Sequence, residues 1–201
     1  NSRQSFGHHA GMLLVGTAAH HPRNTRVAED LLRMEADVEL HGQDGRTALL
    51  CAAEAGNIPM VECLLDAGAN LEARDRRGRT PLICAACGGN ELLVEFLATC
   101  GADMKAKDRQ GRTPLMCAAA NGKLEVVRCL CALGAELEAR DNKRRTALLA
   151  AAGAGQCEVV SLLAAQGAEM DARDVLGRTV LGCAGCQGRV VRQLTQQPGK
   201  D

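Results

Sequence analysis

Three observations predict an all-α solenoid of stacked helix-turn-helix units with short turn or hairpin tips. The first is a 33-residue beat, on which Thr47, Thr80, Thr113, Thr146 and Thr179 are evenly spaced. The second is that apolar and glycine positions keep the same step: Leu49, Leu82, Leu115, Leu148 and Leu181; Val61, Val94, Val127 and Val160; Gly56, Gly89, Gly122, Gly155 and Gly188. A fixed period of this length marks one supersecondary unit that cannot bury its apolar face alone. The third is composition. Hydrophobic residues make up 46% of the 201-residue chain but aromatics only 1%, Phe6 and Phe96 being the sole examples. The core must be built from Leu, Val, Ala and Cys, which suits thin helix-on-helix layers.

Each unit opens on a turn, as in Asp75-Arg76-Arg77-Gly78-Arg79-Thr80-Pro81-Leu82. Asp bonds nearby backbone groups, and Gly three residues later tolerates positive φ. Thr80 is placed as a helix N-cap with Pro81 at the first helical position, where a missing N–H costs nothing. Leu82, Ala85 and Ala86 fall on one face of the first helix, and Gly89 stops it. A second helix follows, with Leu92, Leu93, Val94, Phe96 and Leu97 as its expected buried face and Gly101 as its left-handed terminator. Ala102-Asp103-Met104-Lys105-Ala106 leads to the next turn.

Thr80-Pro81-Leu82-Ile83-Cys84-Ala85-Ala86 and Thr113-Pro114-Leu115-Met116-Cys117-Ala118-Ala119 resemble the ankyrin repeat, whose pattern includes Thr-Pro-Leu-His-x-Ala-Ala and a Gly-Ala-Asp-x-x-Ala ending. Gly68-Ala69-Asn70, Gly101-Ala102-Asp103, Gly134-Ala135-Glu136 and Gly167-Ala168-Glu169 match that ending. The resemblance is strong over residues 42–185 and implies an ankyrin-repeat solenoid. It divides the chain into a tail at 1–8, a divergent capping repeat at 9–41, repeats at 42–74, 75–107, 108–140 and 141–173, and a truncated capping repeat with tail at 174–201. Residues 9–41 keep only the back half of the pattern, and Gly11–Ala19 reads as a buried helix. The last unit is shortened around Gly188-Arg189-Val190-Val191 and diluted by Gln193, Gln196 and Gln197. Divergent polar outer units are expected as caps; the alternative is that the chain is a piece of a longer protein.

Two departures from the family pattern carry consequences. Its His is replaced by Leu50, Ile83, Met116, Leu149 and Gly182, so packing must do the work of the hydrogen bonds that His supplies. Arg144 takes the turn glycine position, where a Cβ costs about 1 kcal/mol, and a distorted turn is expected there.

Lys plus Arg and Asp plus Glu are each 24, so the formal charge is zero. The distribution is less even. Arg74, Arg76, Arg77 and Arg79 cluster at one tip, Lys105, Lys107, Arg109 and Arg112 at the next, then Arg140, Lys143, Arg144 and Arg145, with Arg173 and Arg178 beyond. Glu62, Asp66, Glu91, Glu95, Glu125 and Glu158 fall on the second helices. Stacked tips would form a basic ridge that steers an acidic segment and weakens with salt; the plainer reading is charge that merely solvates the turns. The resemblance implies partner binding along a concave face of turn tips and first helices. Carried onto matching positions, the candidates are Arg76, Arg77, Arg79 and Cys87; Arg109, Gln110, Arg112, Ala120 and Asn121; Asn142, Lys143 and Arg145; and Arg178. Gln43 and Glu54 begin this surface, with Ala55, Gly88 and Ala154 as a shallow floor. The expected partner is another protein, bound by a monomeric, non-catalytic scaffold through an acidic peptide or loop.

Other chemistries find little support. Cys84/Cys87 and Cys183/Cys186 invite a zinc reading, but three helix layers separate the pairs by roughly 25–30 Å, far beyond Zn–S bonds of about 2.3 Å. His8, His9, His20, His21 and His41 lack recurring Cys or acidic partners, so no metal or cofactor is expected. There is no nucleophile elbow or His-Glu-x-x-His helix, and Gly153-Ala154-Gly155 lacks the strand that a dinucleotide loop needs. Nucleic-acid binding along the ridge is the alternative, set back by the absence of Tyr and Trp for stacking. A targeting module of a larger enzyme or ubiquitin-ligase adaptor is another. No apolar run approaches the roughly 20 residues of a membrane span. The 11 cysteines fall largely at small-residue positions, with Cys51, Cys84, Cys117 and Cys183 alternating with Ala150, which points to a reducing, intracellular home in cytoplasm or nucleus. Cys87, Cys100 and Cys186 are the thiols expected to be open to oxidation.

Overall fold

The computed structural model describes residues 2–20, 25–42 and 44–183, with side chains from residue 7 onward except at residue 20. Gln43, His21, the side chain of His20, Cys186 and the whole shortened stretch from Gly188 to Gln197 lie outside the described residues. The chain forms two compact units, Asn1–Asp103 and Met104–Asp201. The described residues contain helices and turns and no strand.

The first unit holds α1 (Ser2–His20), α2 (Thr25–Arg33), α3 (Ala48–Ala55), α4 (Ile58–Asp66), α5 (Pro81–Gly88) and α6 (Glu91–Thr99). Within it α3 packs between α1 and α5 as a layer of first helices, while α2 packs on α4 in the layer behind. The second unit holds α7 (Pro114–Ala120), α8 (Leu124–Ala132), α9 (Ala147–Ala154), α10 (Cys157–Ala165) and a 3-10 turn at Val180–Gly182. There α7 packs on α9, α8 on α10, and the 3-10 turn on α9.

The first helices start where the threonines predict. Thr47, Thr80, Thr113 and Thr146 have extended backbone, and each side chain accepts from the N–H three residues on, at Leu50, Ile83, Met116 and Leu149. Each cap contributes about 1 kcal/mol. Those same four acceptor-facing residues, which stand where the resemblance implied His, are no more than 1% exposed. They belong to the buried apolar core, so apolar packing stands where the pattern's His would supply side-chain bonds. Gly182 offers no such packing; Thr179 makes no side-chain cap bond, and among the described residues a single 3-10 turn follows it.

The second helices end in repeated Schellman closures. Ala102 N–H donates to Leu97 O at 3.0 Å and Gly101 N–H to Ala98 O at 3.0 Å, with Gly101 at φ 89. Gly68-Ala69, Gly134-Ala135 and Gly167-Ala168 repeat both bonds on α4, α8 and α10. On α2 the left-handed place falls to Glu35 at φ 60, and the closure is still made, with Ala36 N–H on Leu31 O at 3.1 Å. Loop glutamates then tie neighbouring repeats: Glu39 Oε1 accepts from Asn70 N–H at 2.7 Å, Glu72 from Asp103 at 2.9 Å and Glu138 from Glu169 at 2.8 Å.

Several expectations need correcting. Helix α1 begins at Ser2, inside the segment read as a tail. Two glycines lie where this helix meets the 35–40 loop: a Cβ on Gly11 would sit 2.9 Å from Asp37 O, and one on Gly7 would sit 3.2 Å from Glu35 O. The bare helix face lets the 35–40 loop dock directly, and Asp37 N–H donates to Gly7 O at 3.3 Å. Gly11–Ala19 is amphipathic rather than buried throughout: Leu14 and Ala18 are 0% exposed, but Leu13 is 57% exposed. On α6 Leu93, Val94 and Leu97 are buried, whereas Leu92 points outward and Phe96 is half-buried. The Arg144 turn is not distorted. Arg144 takes φ 59, and its N–H donates to Asp141 O at 2.8 Å, as Gly78 and Gly111 do at Asp75 and Asp108.

Candidate functional site

Each turn tip is built around one aspartate. Asp75 Oδ1 accepts from the N–H of Arg77 and of Arg79, both at 2.8 Å, while Oδ2 accepts from Arg79 Nε at 2.8 Å. Asp108 serves Gln110 and Arg112 in the same way, Asp141 serves Lys143 and Arg145, and Asp174 serves Leu176 and Arg178. The aspartate's N–H donates to the arginine carbonyl four residues on, so each tip is a small closed hairpin. In the first tip Gly42 replaces this aspartate; Asp44 substitutes, accepting from Arg46 N–H at 3.2 Å.

This arrangement divides the expected basic residues into two kinds. Arg79, Arg112, Arg145 and Arg178 are bound to the tip carboxylates, and their side-chain exposure is 7%, 31%, 31% and 50%. Arg79 is therefore part of the interior and presents no surface charge to a partner. Burial pushes the Asp75 carboxyl up, but the hydrogen bonds from the Arg79 N–H and guanidinium, with its charge, hold it below the usual carboxylate range. Asp174 is lowered by the same partners in the last tip, against a desolvation that raises it. The second kind is exposed at the tips: Arg76 and Arg77 in the first unit; Arg109, Lys143 and Arg144 in the second. The salt bridges among the described residues pair none of these five with a carboxylate. Glu62, Asp66, Glu91, Glu95, Glu125 and Glu158 are exposed on α4, α6, α8 and α10.

The remaining expected residues fall in place by unit. In the first, Cys87 is half-buried near the end of α5, and a shallow depression is lined by Glu54, Ala55, Gly88 and Asn90. In the second, Gln110 and Asn142 are exposed on consecutive tips, joined where Asn142 Nδ2 donates to Arg109 O and Asn142 N–H to Gln110 O, both at 3.0 Å. Asn121 caps α7, its amide donating to Cys117 O at 3.0 Å. Arg112, Ala120, Arg145 and Arg178 line one cavity of about 320 Å³ with Leu149, Ala150, Gly153, Ala154 and Cys183.

Two features escaped sequence reasoning. Glu54 on α3 bridges Arg46 and Arg79, which the repeat pattern hides because Cys87, Ala120 and Gly153 stand at its place. At the last tip Val175 and Leu176 are 54% and 72% exposed, where earlier tips carry polar or charged residues. The signal for that pair was present in the tip alignment.

Among the described residues no cysteine is in a disulfide. Burial pushes the Cys84 thiol up to about 12 and, with Asp44 adding to it, the Cys51 thiol up to about 11. Cys100 is exposed. Since the thiolate is the reactive form, Cys100 should label first with a disulfide reagent, and Cys51 and Cys84 only on unfolding; mass mapping of the labelled peptides reads the order. Among the described residues no group of three or more His, Cys, Asp or Glu is arranged to hold a metal ion, and no helix is long and apolar enough to cross a membrane.

Comparison with protein families matches residues 16–108 and 89–174 to the model described as "Ankyrin repeats (3 copies)". No curated protein matches the chain.

Proposed function

The chain belongs to the ankyrin-repeat family, whose repeats generally mediate protein–protein interaction and whose members are typically non-catalytic scaffolds, and from that premise we propose that it is an adaptor that docks an acidic segment of another protein. The observation that carries this reading is the division of charge. Arg76, Arg77, Arg109, Lys143 and Arg144 stand exposed at the tips with no carboxylate salt bridge, the tip aspartates are engaged by Arg79, Arg112, Arg145 and Arg178, and the exposed Glu62, Asp66, Glu91, Glu95, Glu125 and Glu158 sit on the second helices. Arginine suits such an anchor because its planar fork grips a carboxylate bidentately. Each unit has its own depression lined by small residues, Ala55 and Gly88 in the first and Ala120, Ala150, Gly153 and Ala154 in the second, and the second is also lined by the tip arginines Arg112, Arg145 and Arg178. Binding by rigid docking needs no catalytic group, and none is assigned here. The thiols at buried, alanine-like positions favour a reducing, intracellular setting.

Replacing Arg76, Arg77, Arg109 and Lys143 together with alanine is expected to weaken binding of an acidic peptide at least about a hundredfold at moderate salt, with the helical circular dichroism unchanged. Equal affinity of the quadruple variant and the parent would refute the reading. Tighter binding to random duplex DNA than to the acidic peptide would favour nucleic acid as the ligand.

A further inference from the structure

The first unit already shows a carboxylate seated in its groove. Glu54 accepts from Arg46 Nη1 and, at 3.5 Å, from Arg46 Nη2; its Oε1 also accepts from Arg79 Nη1 at 3.4 Å. Arg79 is held from its other edge by Asp75. A tip arginine thus accommodates two carboxylates, one from its own turn and one from the groove. Three repeats further on, Arg46, Glu54 and Arg79 correspond to Arg145, Gly153 and Arg178. Both arginines keep the turn carboxylate, through Asp141 and Asp174, but the groove position is a bare glycine. A Cβ placed on Gly153 meets nothing within 4 Å. Arg145 and Arg178 line the same cavity, with Leu149 and Ala150 as apolar floor.

We infer that the groove of the second unit seats a glutamate or aspartate side chain of the partner between Arg145 and Arg178, at the place that Glu54 fills internally in the first unit. This rests on the reading that the partner is acidic, and it names where the acid goes. The charge count favours a monoanion. Two guanidiniums and two tip carboxylates cancel, and Glu54 shows that one further negative charge is accommodated by such a set. A dianionic phosphate would leave an excess of about two negative charges where Glu54 leaves one. The methylenes of a glutamate would lie on Leu149 and Ala150 while its oxygens reach both guanidiniums.

The test is to build the missing carboxylate into the chain. Gly153→Glu should occupy the groove from within and lower the affinity for an octaglutamate peptide by about tenfold or more, measured by fluorescence anisotropy. Gly153→Gln, which fills the same space without charge, should change it by less than about threefold. Gly153 is exposed on α9, so both variants should fold, and thermal melts check it. Ala120→Glu repeats the experiment one step earlier, between Arg112 and Arg145. If wild-type protein binds octaglutamate and Gly153→Glu binds it equally well, the seat is wrong while the tip reading stands. Equal losses from Gln and Glu would also overturn it, as would tighter binding of a phosphoserine peptide than of octaglutamate. No binding by the wild type would overturn both readings.

Discussion

Asp75→Ala is expected to destabilise the first unit by about 3–5 kcal/mol, because it removes the partner of a buried guanidinium. Asp75 and Arg79 have side-chain exposures of 3% and 7%, and Arg79 Nη2 already lacks a hydrogen-bond partner. Glu54, at 3.4 Å and partly exposed, cannot replace three bonds from Asp75. In a domain of this size the loss corresponds to a drop of roughly 10 °C in the melting midpoint. Asp174→Ala should cost far less, since Arg178 is half-exposed and water takes over its guanidinium. Equal melting shifts for the two variants would show that the tip pair, rather than its burial, sets the cost. The pH dependence follows the same carboxylate. Its folded pKa lies below the unfolded value, so its contribution is present above about pH 4 and is lost as pH falls through the folded pKa. An acid titration of the Asp75→Asn variant should therefore be flatter than that of the parent below about pH 4.

The second large effect concerns one turn position with opposite signs in consecutive repeats. Gly111 has φ 76, and a Cβ there would lie 2.4 Å from Asn142 Oδ1 and 2.9 Å from Asn142 N. The second clash is with backbone that is itself fixed by the bond to Gln110 O, so it cannot relax by a rotamer change. Gly111→Ala should cost about 2–4 kcal/mol, combining left-handed strain with overpacking. Arg144, at the same position one repeat on, already holds φ 59. Arg144→Gly should relieve that strain and raise stability by about 1 kcal/mol, less the extra unfolded-state freedom of glycine. Urea melts of the two variants read both signs; a destabilised Arg144→Gly would mean that the arginine side chain contributes more than its backbone costs.

The repeat made most of the fold legible, because a threonine cap, a glycine terminator and an apolar face each declare themselves locally. Thr80 needs only its own backbone and Ile83 to be understood. What stayed hidden depends on distance in space or on a single repeat's departure. Arg79 reads as one more tip cation until the turn is closed and Asp75 is seen beneath it. Leu92 reads as core because it adjoins Leu93, yet a shift of one residue on a helix turns a side chain by about 100°, and it lies outside the face of Leu93 and Leu97. Glu35 gave no warning of positive φ, since residues other than glycine and asparagine seldom adopt it. The candidate surface was legible as a set of positions but not as a set of states: which arginines are spoken for is decided by burial and pairing alone.

The loop glutamates have a consequence for how such a protein changes length. Glu39 to Asn70 and Glu72 to Asp103 are the same bond made one repeat apart, from a side chain to a main-chain N–H whose residue identity does not matter. Within the first unit the joint between cassettes is thus indifferent to what is joined. A whole repeat inserted or excised at this boundary would find the same glutamate facing the same peptide group, so length and surface can vary while the coupling stays constant.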